Sequence, residues 1–381
     1  MFRKNTGLYI TVIFIALLAF SFLTVYAASA TKKQLSASQI SARAAALYEP
    51  ETGTFLFEKN SSNRLPMAST TKIMTALVAL ENTSLDVLVA VDDSAIGVEG
   101  SSAYLRQGDV LSMEELLYAL MLSSANDAAV AIACHVGGSI EGFATLMNDK
   151  ARSLGLTDTH FENPHGLDSD EHYTTARDLA LIAAEALRSD ILREISSTYK
   201  KSFITEERSR TYINHNKLLR LYDGAIGLKT GYTKRCGRCL VGAAERDGLR
   251  FITVTLDAPS DWSDHTLMLD YGYDTLEKIR LAEVGEYSYD LGVIGSDTER
   301  ITVSNKHELF FINKRGVGEI EKEVRLLPFA QAPISQEDTL GEVIFTLDGY
   351  EIGRIGLYST ETVKLKEKNT LFKRVKSIFD R

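Results

Sequence analysis

Pro66-Met67-Ala68-Ser69-Thr70-Thr71-Lys72-Ile73-Met74-Thr75-Ala76-Leu77-Val78-Ala79-Leu80-Glu81 is the stretch around which the rest of the chain is arranged. From Ile73 onward apolar residues recur at three- and four-residue spacings with no Gly or Pro, which predicts an amphipathic or buried helix. Pro66 and the Ser/Thr cluster mark its entry. Ser69 then falls in the first turn, where backbone N–H groups are unpaired and the helix dipole favours negative charge. Lys72, three residues on, shares that face one turn deeper. An ammonium held among Met, Ile and Leu is poorly solvated, so its pKa falls and it can accept a proton. A hydroxyl beside such an amine is an activated nucleophile.

Alone, the pair is a weak signal. S-x-x-K also occurs at Ser29/Lys32 and Ser197/Lys200, and an N-cap followed by a snorkelling lysine is the more ordinary reading of any single case. The sequence downstream singles out Ser69/Lys72. Leu116–Leu122 and Ala128–Val136 read as two apolar helices, the first opened by the capping box Ser112-Met113-Glu114-Glu115. Between them, Ser123-Ser124-Ala125-Asn126-Asp127 predicts an exposed tip carrying Ser124 and Asn126. S-x-N is weak as well: it recurs at Ser61/Asn63, and a pair of helix caps is its plainer explanation. Lys229-Thr230-Gly231, in contrast, occurs once, inside a β-type run.

Working outward, Ala44–Tyr48 and Thr54–Glu58 flank a turn as a hairpin. Phe143–Leu154 and Leu179–Arg188 are helical on either side of the polar loop His160–His172, with Thr175-Ala176-Arg177-Asp178 capping the second. The middle of the chain is therefore almost all helix. Ala225–Thr233, Cys239–Glu245 and Leu249–Leu256 read as three antiparallel strands, which with the hairpin complete a sheet of about five. Leu267–Glu277 is a helix able to cover one face. The expected fold class is α/β in the broad sense, more strictly α+β. Residues 281–362 are short β-type runs between Gly, Asn and Asp turns and predict a small separate β domain.

The two ends read differently. Arg3 and Lys4, the apolar run Leu8–Val25 and Ala28-Ser29-Ala30 predict an export signal over 1–30, with an uncleaved membrane anchor as the alternative. Over 363–381, Leu371, Phe372, Val375, Ile378 and Phe379 oppose Lys373, Arg374, Lys376 and Arg381. This basic amphipathic tail suits an anionic membrane surface, and a solvated terminal helix fits it as well. A net charge of -9 argues against nucleic acid as a partner. Cys236-Gly237-Arg238-Cys239 lacks two further ligands at metal spacing, so no metal or cofactor is expected, and a local disulfide or two plain thiols are the remaining readings.

Ser69-Thr70-Thr71-Lys72, Ser124-Ala125-Asn126 and Lys229-Thr230-Gly231 follow one another in the order shared by class A β-lactamases and penicillin-binding proteins. With Asn163-Pro164-His165-Gly166-Leu167-Asp168 and Thr174-Thr175-Ala176-Arg177-Asp178, the chain resembles low-molecular-mass penicillin-binding proteins acting as D-alanyl-D-alanine carboxypeptidases. The resemblance is close over residues 40–275 and looser beyond. It implies a β-lactamase/DD-peptidase-like catalytic domain over 31–280 and, as partners, a peptidoglycan stem peptide ending in D-Ala-D-Ala and β-lactam antibiotics. It further implies Ser69 as nucleophile, Lys72 as its base and Ser124 as a proton relay. Asn126 would hold the substrate amide, Lys229, Thr230 and Gly231 the extended substrate and its carboxylate, and Tyr232 with Ser69 the oxyanion.

One departure stands out. The family often places an arginine after the third strand to hold the carboxylate, yet Asp257-Ala258-Pro259-Ser260-Asp261-Trp262-Ser263-Asp264-His265 contains none. Arg235 and Arg238 are candidate substitutes, and a plain surface role is the alternative for both. Of the competing functions, a Ser-His-Asp hydrolase lacks its G-x-S-x-G. A β-lactamase would need Glu162 as a deacylating base, and a penicillin-binding sensor would acylate without useful turnover.

Overall fold

The computed structural model describes residues 34–204, 208–316 and 318–366; the expected export signal and the amphipathic run from Leu371 lie outside the described residues. The chain divides into two compact units, one formed by residues up to Ala244 with Phe251–Thr275, the other by Glu245–Arg250 with residues from Leu276 onward.

In the first unit, strands β1 (Ala44–Glu49), β2 (Thr54–Lys59), β3 (Ala225–Thr233), β4 (Gly237–Arg246) and β5 (Leu249–Leu256) form one sheet in the order β2-β1-β5-β4-β3. Early and late segments are stitched by the antiparallel pairing of β1 with β5, Ala44 opposite Leu256 through Tyr48 opposite Ile252. β1 reads Ala-Ala-Ala-Leu-Tyr-Glu and is buried along its whole length, because a central strand with helices on both faces has no solvent side. The β4–β5 turn uses Asp247 and Gly248 at φ 51° and 71°, the left-handed pair that a two-residue hairpin requires.

Helices α1 (Lys72–Asn82), α2 (Met113–Leu122) and α3 (Asn126–Gly137) form the apolar heart beside the sheet. All but one residue of α2 are buried, so its apolar run reflects a helix wrapped on every side. Ser112 Oγ accepts the Glu115 N–H and opens α2 as expected. Next come α4 (Ile140–Ser153), α5 (Ala176–Ala186) and α6 (Asp190–Ser197). Thr175 Oγ1 accepts the Asp178 N–H to start α5. Helix α7 spans Asp261–Thr275, six residues earlier than the apolar spacing predicts, because its first turn carries Asp261, Trp262 and Asp264 rather than aliphatic residues. The hairpin Lys200–Ile204 with Ser209–Ile213 was not legible as strands in a polar, aromatic run.

The second unit is β-rich, as the turn-punctuated sequence predicts. Its main sheet joins Ile320–Leu326, Thr339–Leu347, Tyr350–Ser359, Arg300–Ser304, Ser288–Ile294 and Ala330–Gln331 in that spatial order. Val303, Val343, Phe345 and Leu357 fill its core, with Tyr287 edge-on to Phe345 at 5.8 Å between ring centres.

The loop Asn163–Asp168 fastens the start of α1. Thr75 Oγ1 donates to the Pro164 carbonyl at 2.6 Å, and Gly166 sits at φ +86° with its hydrogen facing Ala68. A Cβ there would lie 1.9 Å from the Ala68 carbonyl oxygen, in a backbone region that side chains avoid. Gly166→Ala is therefore expected to destabilise the unit by about 3 kcal/mol. Thermal melting of the variant beside wild type measures this, and an unchanged midpoint would show that the loop does not clamp the helix.

Candidate active site

Ser69 lies in a single 3-10 turn, Ala68–Thr71, that feeds directly into α1. Ala68 is held at φ 48°, and Thr71 Oγ1 donates to its carbonyl while sharing a 2.8 Å hydrogen bond with His172 Nε2. Lys72 is fully buried one turn deeper. Its Nζ lies 2.9 Å from Ser69 Oγ, 2.7 Å from Asn126 Oδ1 and 2.6 Å from the His165 carbonyl oxygen. Burial, then the neighbouring Lys229, hold its pKa well below the ordinary lysine range, with Asp127 opposing weakly.

That geometry fixes how a neutral amine would sit. It has two N–H groups and one lone pair. Asn126 Oδ1 and the His165 carbonyl can only accept, so both N–H groups go to them and the lone pair faces the Ser69 hydroxyl. Ser69 O–H then donates to Lys72 Nζ, the arrangement a base needs before it takes a proton.

Ser124 stands at φ 59° between α2 and α3, and both it and Asn126 are buried. The expected exposed tip is thus corrected: apolar helices on both sides bring the junction inward, where it meets Lys72. Asn126 also has a role toward Lys72. Its Oδ1 is taken by Lys72 and its Nδ2 donates to the Glu99 carbonyl at 2.5 Å, so it orients the lysine.

Lys229, on β3, is 1% exposed, and its Nζ donates to the Thr230 carbonyl at 3.0 Å. Burial pushes its pKa down to about 7. Side chains alternate along a strand, so Lys229 and Gly231 face the helices while Thr230 and Tyr232 face the opposite side. Lys229 thus reaches the cleft floor from the side of the sheet that carries Gly231. Gly231 has a further role. A Cβ on it would meet Ser69 N at 3.0 Å and Ala68 Cβ at 3.1 Å, so its bareness lets β3 approach the nucleophile's own turn.

A cleft of about 370 Å³ opens over these groups, lined by Ser69, Ser124, Thr230, Gly231, Tyr232, the candidate Arg238 and, without a sequence expectation, Ser101, His215, Lys217, Asp261 and Trp262. His215, Lys217, Asp261 and Trp262 lie on elements with no motif, so spacing could not reveal them. Arg235 pairs instead with exposed Asp170. His165 and His172 are kept neutral, their pKa pushed down to about 3 and about 4, first by burial. Glu162 is exposed and accepts from Ser169 Oγ, leaving Asp261 as the carboxylate of the cleft. Cys236 and Cys239 are free thiols, and among the described residues no cluster of metal-ligating side chains forms.

An antiparallel sheet beside a half-buried serine held against a buried lysine defines the class: an active-serine enzyme with a lysine base. The family description "D-alanyl-D-alanine carboxypeptidase" matches residues 30–260, and "Penicillin-binding protein 5, C-terminal domain" matches 276–365. D-alanyl-D-alanine carboxypeptidase DacF of Bacillus subtilis is 31% identical over 345 residues, covering 87% of this chain and 88% of its own. A D-alanyl-D-alanine carboxypeptidase of Streptomyces sp. (strain K15) is 37% identical over 243 residues, 58% of this chain and 84% of its own. The crystal structure of penicillin-binding protein 5 from Haemophilus influenzae superposes with a TM-score of 0.63 at 27% identity, covering 87% of this chain and 99% of that one. The chain belongs to the serine D-alanyl-D-alanine carboxypeptidase family.

Lys229 gives a stability test with a defined sign. Its folded pKa of about 7 lies below the ordinary 10.5, so between these values the unfolded chain binds more protons and stability rises with pH. Lys229→Met removes that burden. The variant should melt above wild type at pH 6, and its advantage should shrink by about 1.4 kcal/mol per pH unit above 7. A constant difference across pH would show that Lys229 is not desolvated.

Proposed function

We propose that this chain is an extracytoplasmic serine carboxypeptidase that removes the terminal D-alanine from peptidoglycan stem peptides through an acyl-enzyme on Ser69. The observation that carries the reading is the 2.9 Å contact between the Ser69 hydroxyl and Lys72, whose burial holds its pKa well below the ordinary lysine range. Ser69 Oγ attacks the carbonyl between the two D-alanines as Lys72 takes its proton. Ser124, on the cleft wall, relays a proton to the departing amine, and Lys229 sets the field beneath it. The Ser69 and Tyr232 backbone N–H groups stabilise the oxyanion, each worth about 3 kcal/mol. Thr230 and Gly231 bring the β3 edge alongside the extended substrate, and Asn126 keeps Lys72 in register. Water then releases the acyl group.

β-Lactams enter the same cleft and acylate the same serine. The cleft's carboxylate, Asp261, is hydrogen-bonded to Arg238, and Glu162 is turned to Ser169, so neither is set to drive fast deacylation. This favours a long-lived penicilloyl adduct over a β-lactamase. The catalytic unit is read as residues 31–280 and the β unit as 281–362. Export through the N-terminal signal and contact of the basic tail with an anionic membrane belong to the same proposal.

Ser69→Ala should abolish both D-alanine release from a D-Ala-D-Ala peptide and the mass increase on penicillin treatment, with melting unchanged. Release of D-alanine by that variant would remove Ser69 from the mechanism. Penicillin labelling without D-alanine release in wild type would point to a sensor instead.

A further inference from the structure

Of the two arginines that the sequence offers as carboxylate ligands, Arg238 is the one that lines the cleft. It opens β4 opposite Tyr232, while Thr230 pairs with Leu240, which makes Thr230 and Arg238 diagonal neighbours on one face of the sheet. Such neighbours lie about 7–8 Å apart, within reach of one small anion between a hydroxyl and a long side chain. Both residues line the cleft with Ser69.

The guanidinium is held in place. Its Nη2 donates to both oxygens of Asp261, at 2.9 and 2.8 Å, and it lies 5.8 Å from the centre of the Trp262 ring. Asp261 is 4% exposed and sits in the first turn of α7, whereas the Arg238 side chain is 44% exposed. Among the described residues, Nε and Nη1 have no hydrogen-bond partner in the protein. A planar fork with one nitrogen tied to a buried carboxylate and the rest open is ordered before a ligand arrives, which lowers the entropy lost on binding.

We propose that Arg238, positioned by Asp261 and Trp262, binds the terminal carboxylate of the substrate together with Thr230, replacing the arginine that this chain lacks after β5. The inference rests on the carboxypeptidase reading above and names the specificity determinant of that site. The other cations fit less well. Lys229 is buried on the opposite face, Arg235 is paired outside the cleft, and Lys217 lines it without a carboxylate anchor among the described residues. Asp261 is a positioning residue, because it acts through Arg238.

The experiment compares hydrolysis of a peptide ending in free D-Ala-D-Ala with that of the same peptide as its C-terminal amide. Wild type, Arg238→Gln, Arg238→Lys and Lys217→Gln are assayed as full chains, with melting recorded for each. Wild type should strongly prefer the free acid. Arg238→Gln should lose about 100-fold in kcat/KM on the acid while the amide stays within about threefold, and Arg238→Lys should fall between. Lys217→Gln should keep the wild-type preference. An Arg238→Gln enzyme that still discriminates acid from amide, or a Lys217→Gln enzyme that does not, overturns the inference alone. Should wild type release no D-alanine yet be acylated by penicillin, the carboxypeptidase reading falls, and the same comparison is read from acylation by penicillin against its carboxyl methyl ester. A wild-type protein that is not acylated at all overturns both.

Discussion

Two lysine side chains buried within one small region, Lys72 and Lys229, set the terms for everything around them. Each is essentially without solvent, and Lys229 raises the energy of a charge on Lys72. The acid that favours the charged form of Lys72 is Asp127, but its oxygens are already used by the Ala103 and Leu105 N–H groups and the Ser102 hydroxyl. A fold that placed a free carboxylate there would keep Lys72 protonated and useless as a base. This fold instead surrounds the amine with neutral oxygens and apolar helices, so a proton is held loosely and can be passed on.

Keeping that arrangement requires strict local geometry, which the loops supply rather than the helices. The Asn163–Asp168 loop places the Pro164 carbonyl on Thr75 and the His165 carbonyl on Lys72, and Gly166 is bare because Ala68 leaves no room. On the far side, Gly231 allows β3 to touch the turn that carries Ser69. The nucleophile is thus gripped between a loop and a strand that are remote in sequence, while its base rides on the helix. Ser69 and Lys72 share a helix start, so their separation is set locally. Their protonation is set by what surrounds them.

The charge pattern of the cleft follows the same division. Below, the two lysines are starved of water and their pKa values are pushed down by burial. Above, Arg238 is partly exposed and neutralised on one side by Asp261, which leaves a directional donor at the mouth. The buried amines serve proton transfer and the exposed guanidinium serves recognition. A permanently charged residue suits recognition, because its state does not vary with the chemistry proceeding beneath it.

Much of this was legible in the sequence because it is local. The helix behind Ser69, the caps at Ser112 and Thr175, the alternating strands and the change of style after Lys278 are all written in short-range periodicity and turn chemistry. The three motifs could be found, and their order carried the family resemblance. What sequence could not give is which atoms meet. Only packing drew Asn126 away from an exposed tip and committed its amide to Lys72 and Glu99, buried Lys229 without solvent, and matched Gly231 to the Ser69 turn. Asp261, Trp262 and Arg238 come together because α7 and β4 lie side by side, although no spacing rule links them. Local structure depends on neighbours along the chain, and a binding site depends on neighbours in space, which the sheet register and helix packing alone decide.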